Sequence, residues 1–169
     1  MIELLILYVV NDREKTIYSI RKTIIELFGA FTKPSLGTIH PAVKRLLSKK
    51  CVQLTERMSD GGKKSSYYII TETGRKYFKD LYFTESSENP AMFYGQLQAK
   101  FGTMGMLSSA EKLKFLNGIE RRLELLKYDI ENRLKDEYLH MDKFQSSLLK
   151  AMLKEIDLIT DLVKTLRTE

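Results

Sequence analysis

The chain has 169 residues, of which 43% are hydrophobic and 30% are charged, and these proportions are typical of a folded globular protein. Its single cysteine, Cys51, excludes an internal disulfide, and two histidines leave too few ligands for a zinc site. The longest apolar run, from Leu4 to Val10, is too short to span a bilayer. We therefore expect a cytoplasmic protein that contacts no membrane and holds no metal or cofactor.

The basic residues are concentrated in the N-terminal half. The formal net charge is +6 at pH 7. Residues 1–84 contain fifteen Lys and Arg against eight Asp and Glu, whereas the remaining residues contain thirteen against fourteen. Because a basic surface attracts polyanions, this asymmetry favours an anionic partner such as nucleic acid for the N-terminal half.

Two helices are predicted before residue 30. Apolar residues at helical spacing indicate a first helix that stops at Asn11 and is apolar on more than one side. Thr16 is placed to cap a second helix, and Gly29 is placed to end it in a left-handed conformation. The buried stripe of this second helix is predicted to contain Ile17, Ile20, Ile24 and Leu27.

A third helix is predicted after residues 33–35, and Pro41 complicates its start. Because proline is tolerated only in the first turn, either the regular helix begins near Gly37 or Thr38, or it is kinked at Pro41. The inner face of this helix is predicted to contain Ile39, Val43, Leu46 and Leu47.

A β-hairpin follows, because residues 52–58 and 65–70 have strand composition and flank a Gly-rich turn with Lys63 and Lys64. Thr71 is placed to cap a fourth helix. Three helices, a hairpin with a basic tip and another helix follow one another in the order of a winged helix-turn-helix. The sequence thus predicts a mainly α fold with a small β-hairpin.

The polar stretch 84–90 has the composition of a linker, so we predict one domain at 1–84 and a second at 85–169. A short helix is expected from Pro90 to Phe101. Ser108 and Glu111 have capping-box spacing and open a long helix, and a second long helix follows it. Their seven-residue apolar tracks predict an antiparallel pair whose further apolar surface needs a partner chain. Folding back of the pair on the N-terminal domain of a monomer is the alternative.

Residues 35–50, SLGTIHPAVKRLLSKK, resemble the recognition-helix signature of the PadR family of bacterial transcriptional regulators, with His40 at a position that is aromatic in the signature. Residues 67–74, YYIITETG, resemble the family's second wing strand and the start of its next helix. Residues 17–20 resemble the start of its second helix, although Ile17 replaces the usual glycine. Residues 97–101, 107–113 and 120–124 resemble the C-terminal helical domain of the longer subgroup.

The resemblance implies a homodimer that binds double-stranded DNA and usually represses transcription, with an inverted-repeat operator expected from its symmetry. The first helix and the C-terminal helices would form the dimer. The residues that we assign to this interface are Leu5, Leu116, Ile119, Leu123, Leu126, Ile130, Met152, Ile156, Ile159 and Val163.

Many members of the family answer to a small aromatic or toxic compound, which makes a small aromatic effector a candidate partner. Four residues are placed either to line a cavity for it or to form the dimer core, namely Phe93, Tyr94, Phe101 and Met104.

Reading DNA requires phosphate contacts that fix the register and base-edge contacts that specify sequence. The third helix offers hydroxyls and an imidazole near its N-terminus, and the hairpin offers lysines beside glycines. The candidate DNA contacts are Tyr18, Ser35, Gly37, Thr38, His40, Lys44, Lys63, Lys64 and Ser65. Lys33, Arg45 and Arg57 are secondary candidates.

Other function classes find less support in the sequence. No Gly-rich phosphate loop, metal-spaced cluster or nucleophile elbow is present, so we expect no enzyme and no catalytic residues. A winged helix that docks on a protein without reading DNA is the alternative function, and it predicts apolar residues on the outer face of the third helix. That face instead contains polar residues, which favours DNA.

Overall fold

The structure is a computed structural model that describes residues 1–58, 62, 64–84 and 89–168, with the backbone alone at residues 90 and 91. The chain divides into two compact units, Met1–Met106 and Leu107–Glu169. No helix in the described part of the chain is both long and apolar enough to cross a membrane.

Helix α1, Ile2–Val9, is the centre of the N-terminal unit. Its side chains Leu4, Leu5, Ile6, Leu7 and Val9 are all buried. Such complete burial requires neighbours on several sides, and α1 contacts α2 (Ile17–Phe28), α3 (Leu36–Ser48) and α4 (Glu72–Phe83). The prediction of a first helix that is apolar on more than one side is confirmed.

Helix α2 begins as predicted, because Thr16 caps it by accepting a hydrogen bond from the Ser19 amide at 3.2 Å. Two expectations for its C-terminal end were wrong. Leu27 is 58% exposed, and Phe28 fills the buried position instead. Gly29 is right-handed, with φ −63°. Glycine is needed there because a Cβ atom would clash with the carbonyl oxygen of Ile25.

Helix α3 runs from Leu36 to Ser48, so it begins within one residue of the predicted start near Gly37, and Pro41 lies inside it. Ser35 caps α3 by accepting from the Thr38 amide at 3.2 Å. Proline has no amide hydrogen, so the carbonyl of Gly37 receives no α-helical bond from Pro41. The buried face contains Ile39, Ala42, Val43 and Leu46.

Strands β1, Val52–Met58, and β2, Lys64–Ile70, form the predicted antiparallel hairpin, in register from Val52 opposite Ile70 to Met58 opposite Lys64. Lys15 extends the sheet, because its backbone donates to and accepts from Tyr68, each at 2.9 Å. Helix α4 follows directly, capped by Thr71. The winged helix-turn-helix order is therefore observed.

Helix α5, Pro90–Gly102, and a short 3₁₀ turn, Met104–Met106, complete the N-terminal unit. Phe93 and Leu97 of α5 are buried. The compact units thus divide near residue 106, whereas the sequence places the domain boundary at 84. Residues 85–88 of the predicted linker lie outside the described residues.

The second unit contains α6, Ser109–Lys135, and α7, Lys143–Thr168. Ser108 and Glu111 form the predicted capping box at the start of α6. The helices pack against each other in antiparallel orientation, with Lys127 Nζ 2.6 Å from Asp157 Oδ1 and Arg167 Nη2 2.7 Å from Glu120 Oε2.

Candidate nucleic-acid interface

The outer face of α3 is polar and exposed. Gly37, His40 and Lys44 follow one another at spacings of three and four residues, which places them on one side of the helix. All three are exposed, whereas Ile39 and Val43 are buried on the inner side. The structure therefore brings three of the predicted contacts together on the surface of α3.

The N-terminus of α3 presents two hydroxyl groups. Ser35 and Thr38 are both exposed, and their side-chain oxygens are 3.1 Å apart. A hydroxyl donates one hydrogen bond and accepts two, so each group retains capacity for a phosphate or a base edge. Arg21 of α2 steadies this end of α3 by donating to the carbonyl oxygen of Pro34 at 3.0 Å.

Tyr18, in the first turn of α2, is 72% exposed. A tyrosine of the hydrophobic core would be covered, so exposure favours the role of a phosphate contact over the alternative that Tyr18 belongs to the core. Its hydroxyl group is available to a phosphate on the DNA backbone.

The hairpin carries fewer free cations than the sequence suggests. Lys64 Nζ lies 2.6 Å from Glu56 Oε2. Arg57 pairs with Glu14 and lies 5.8 Å from the centre of the Tyr67 ring. Ser65 is half-buried opposite Arg57 in the ladder. Lys63 lies outside the described residues.

A carboxylate of α1 binds the C-terminal part of α3. Arg45 Nε donates to Glu3 Oε1 at 2.7 Å, and Lys49 Nζ lies 3.6 Å from Glu3 Oε2. Tyr77 of α4 donates its hydroxyl to Glu3 Oε2 at 2.9 Å and accepts from Lys49 Nζ at 2.5 Å. We call these four residues the Glu3 cluster. It ties α1, α3 and α4 together.

Electrostatics within the Glu3 cluster favour the charged forms. Burial raises the pKa of Glu3, but hydrogen bonds from Arg45 and Tyr77 and the charge of Lys49 outweigh burial, so the pKa lies below its ordinary value. The hydrogen bond with Tyr77 raises the pKa of Lys49. Sequence reasoning missed this cluster, because Glu3 is 42 residues from Arg45 and 74 from Tyr77 and no local pattern connects them.

Comparison with known families decides the assignment of the N-terminal unit. The model of the Transcriptional regulator PadR-like family matches residues 6–80, which contain the second half of α1, the complete α2, α3 and hairpin, and most of α4. Over these residues the chain is similar to the PadR-like family. The members of this family are transcriptional regulators.

Solved structures of PadR regulators are similar to this chain. Bacillus subtilis PadR in complex with operator DNA is 17% identical over 98% of this chain and 96% of that one, with a TM-score of 0.45. A PadR-like regulator from Bacillus cereus is 28% identical over 46% of this chain and 74% of that one, with a TM-score of 0.40. No curated protein matches the chain significantly. The family assignment rests on the match of residues 6–80.

Most residues assigned to the PadR-type dimer are already covered within a single chain. Leu5 is buried in α1, and Leu126, Met152 and Ile159 are half-buried in the second unit. The fully buried members of the second unit are Leu116, Ile119, Leu123, Ile130, Ile156 and Val163. The exposed apolar side chains of α7 lie elsewhere on that helix, namely Phe144, Leu148, Leu158 and Leu162.

The residues proposed to line an effector cavity are partly core residues. Phe93 and Met104 are buried, whereas Tyr94 and Phe101 are half-buried. The rings of Phe93 and Tyr94 lie 5.6 Å apart. This packing resembles a hydrophobic core more than an open aromatic pocket.

Proposed function

We propose that this PadR-like regulator binds an inverted-repeat operator as a homodimer and represses transcription, with a small aromatic compound as its releasing effector. The observation that carries the DNA-binding part is the exposed polar face of α3. Gly37, His40 and Lys44 are suited to approach base edges or phosphates, and the two hydroxyls at the start of the helix are suited to fix its register.

Lys44 is the strongest candidate for a phosphate contact. It is exposed and has no ion pair or hydrogen bond with any residue that the structure describes. Lys64 would first have to exchange Glu56 for a phosphate. Lys44 binds without that cost, so it contributes more to the salt-dependent part of the affinity.

The homodimer proposal is supported by the exposed apolar side of α7. Phe144 and Leu158 lie on one seven-residue track, and Leu148 and Leu162 lie on a second track four residues along. Phe144 is 73% exposed and Leu158 is 72% exposed. Side chains at this spacing lie on one side of the helix, and a second copy of α7 would supply a matching surface.

The function is tested by selecting bound sequences from a random duplex library at near-physiological salt. We expect enrichment of an inverted repeat whose half-sites are about one helical turn apart, because a symmetric dimer presents two α3 helices. Retention without sequence enrichment would contradict sequence-specific binding. Absence of retention would favour the alternative function, a winged helix that docks on a protein without reading DNA.

Lys44→Gln tests the phosphate contact on the selected operator. If each Lys44 of the dimer neutralises one phosphate, the slope of log affinity against log salt becomes less negative by about 1.8. Lys150→Gln is the control, because it removes the same charge from an exposed position on α7. An equal change of slope in both variants would mean that the Lys44 effect comes from the change in net charge and not from a phosphate contact.

The regulatory part of the proposal needs a reporter gene controlled by the selected operator. Expression of the regulator should lower the reporter signal, because a bound dimer obstructs the promoter. A panel of small aromatic compounds should contain one that restores the signal and weakens operator binding by the purified protein. Activation of the reporter would contradict repression.

A further inference from the structure

In the Glu3 cluster, an acidic residue lies beside two basic residues of α3, which is the helix that we propose to read DNA. We infer that Glu3 is a positioning residue that acts as an internal counterion, withholding Arg45 and Lys49 from DNA phosphates and so favouring specific over nonspecific binding. This inference rests on the proposed function, because it concerns DNA contacts of the same helix.

The geometry satisfies both oxygens of the carboxylate. Oε1 accepts from Arg45, and Oε2 accepts from Tyr77 with Lys49 nearby. The Glu3 side chain is 12% exposed, whereas those of Arg45 and Lys49 are 54% and 46% exposed. A phosphate can therefore approach the two cations from solvent, but it has to compete with a carboxylate that already holds them.

The position of the cations on α3 explains why their release would matter. Arg45 lies seven residues after Thr38, which places both on one flank of the helix, and Lys49 follows four residues later. Free cations on this flank would add phosphate contacts. Because such contacts carry no sequence information, they raise affinity for every duplex alike.

The test compares the salt dependence of DNA binding by the wild-type protein and Glu3→Gln, on the selected operator and on a scrambled duplex. Releasing two cations per protomer adds up to four phosphate contacts per dimer, so the slope should steepen by up to about 3.6. Affinity for the scrambled duplex should rise more than affinity for the operator. An unchanged slope and specificity ratio would overturn the inference.

Glu120→Gln is the matched control. Glu120 also pairs with an arginine, Arg167, and it belongs to the second compact unit. The substitution changes the net charge by the same amount and also removes the anionic partner of a guanidinium group. It should leave the slope nearly as it is in the wild-type protein, and an equal steepening in both variants would overturn a specific role for Glu3.

A triple variant identifies the cations responsible. Glu3→Gln combined with Arg45→Gln and Lys49→Gln should return the slope to the wild-type value, because the released cations are no longer present. A slope that stays steep in the triple variant would overturn the inference. A purely structural role for Glu3 does not predict this reversal, since the triple variant lacks the whole set of ion pairs.

A further variant keeps the inference testable if Glu3→Gln does not fold. Arg45→Gln with Lys49→Gln, in the presence of Glu3, should not flatten the slope, because the wild-type protein does not use these cations on DNA. Flattening by two or more would overturn the inference. A wild-type protein without salt-dependent DNA binding would remove the proposed function as well, whereas salt-dependent wild-type binding with an unchanged slope in Glu3→Gln would remove the Glu3 inference alone.

Discussion

Basic residues that are alike in the sequence differ in the structure according to the carboxylates near them. Lys64 pairs with Glu56, Arg57 pairs with Glu14, and Arg45 pairs with Glu3. Ion pairs between exposed side chains, such as Lys64 with Glu56, add about 0–1 kcal/mol to stability, so their main effect is on the electrostatic field that a DNA molecule meets. The number of lysines and arginines therefore overstates the number of available phosphate contacts.

Glu3 also makes stability depend on pH. The pKa of Glu3 is lower in the folded chain than its ordinary value of 4.5. Its contribution to the free energy of unfolding is therefore complete above pH 4.5 and is lost as the pH falls through the folded pKa. We expect the free energy of unfolding of the wild-type protein to exceed that of Glu3→Gln at pH 7, and the difference to shrink below about pH 4.5. Urea unfolding of both proteins from pH 7 to pH 3 measures it.

Subtracting the two curves removes the contributions of the other carboxylates, which both proteins share. A difference that stays constant down to pH 3 would contradict a Glu3 pKa below its ordinary value. A difference that grows at acidic pH would mean that the carboxylate is destabilised, as burial without Arg45 and Tyr77 would make it.

At the scale of elements, close approach of backbones decides how the hairpin meets α4. Gly74 lies in the first turn of α4, where a Cβ atom would clash with the carbonyl oxygen of Cys51 and lie 2.8 Å from Ile70 Cγ1. Thr71 reinforces the junction by donating its hydroxyl to the carbonyl oxygen of Lys50 at 2.7 Å. Because Gly74 has no Cβ atom, the first turn of α4 can pack directly against the hairpin.

Gly74→Ala should therefore lower the free energy of unfolding by about 1–3 kcal/mol, the usual cost of overpacking. Gly118→Ala is the control within a helix, because Gly118 is exposed on α6 and a Cβ atom there meets nothing within 4 Å. It should stabilise the chain by up to about 1 kcal/mol through helix propensity. Denaturant unfolding measures both, and equal effects of the two substitutions would contradict the close approach at Gly74.

At the scale of the whole molecule, the proposed homodimer requires an apolar surface that a second copy can cover. α7 has one apolar side against α6, with Ile156 and Val163 buried, and another that is exposed, with Leu148 and Leu158. Contiguous exposed apolar side chains on one helix favour an interaction site. The exposed side is the surface that remains for a partner.

Leu148→Glu combined with Leu158→Glu should convert the protein from a dimer to a monomer of 19.7 kDa, because buried charges disrupt an apolar seam. Lys154→Glu is the control, since it changes the net charge equally at an exposed position between them. Sedimentation equilibrium measures the mass, and circular dichroism checks that the helices persist. A double variant that remains dimeric would exclude this side of α7 as the interface.

The local elements could be predicted from the sequence because their signals lie within a few residues. The caps at Thr16, Thr71 and Ser108, the hairpin and the long helices are all observed. Each depends on hydrogen bonds or periodicity over one or two turns of chain. The end of α2 was predicted wrongly at Leu27 and Gly29. Packing against the rest of the unit buries Phe28 and leaves Leu27 exposed, and Gly29 keeps a right-handed conformation.

By itself, the sequence determined the order of elements, the concentration of basic residues in the N-terminal half and the polar outer face of α3. These follow from composition and local spacing, which folding does not alter. Only the tertiary structure decided that Arg45 and Lys49 are bound by Glu3, that Lys64 is held by Glu56, and which apolar side of α7 is left uncovered. The physical reason is that charge pairing and burial depend on distances between residues far apart in the chain, and these distances exist only after the helices have packed.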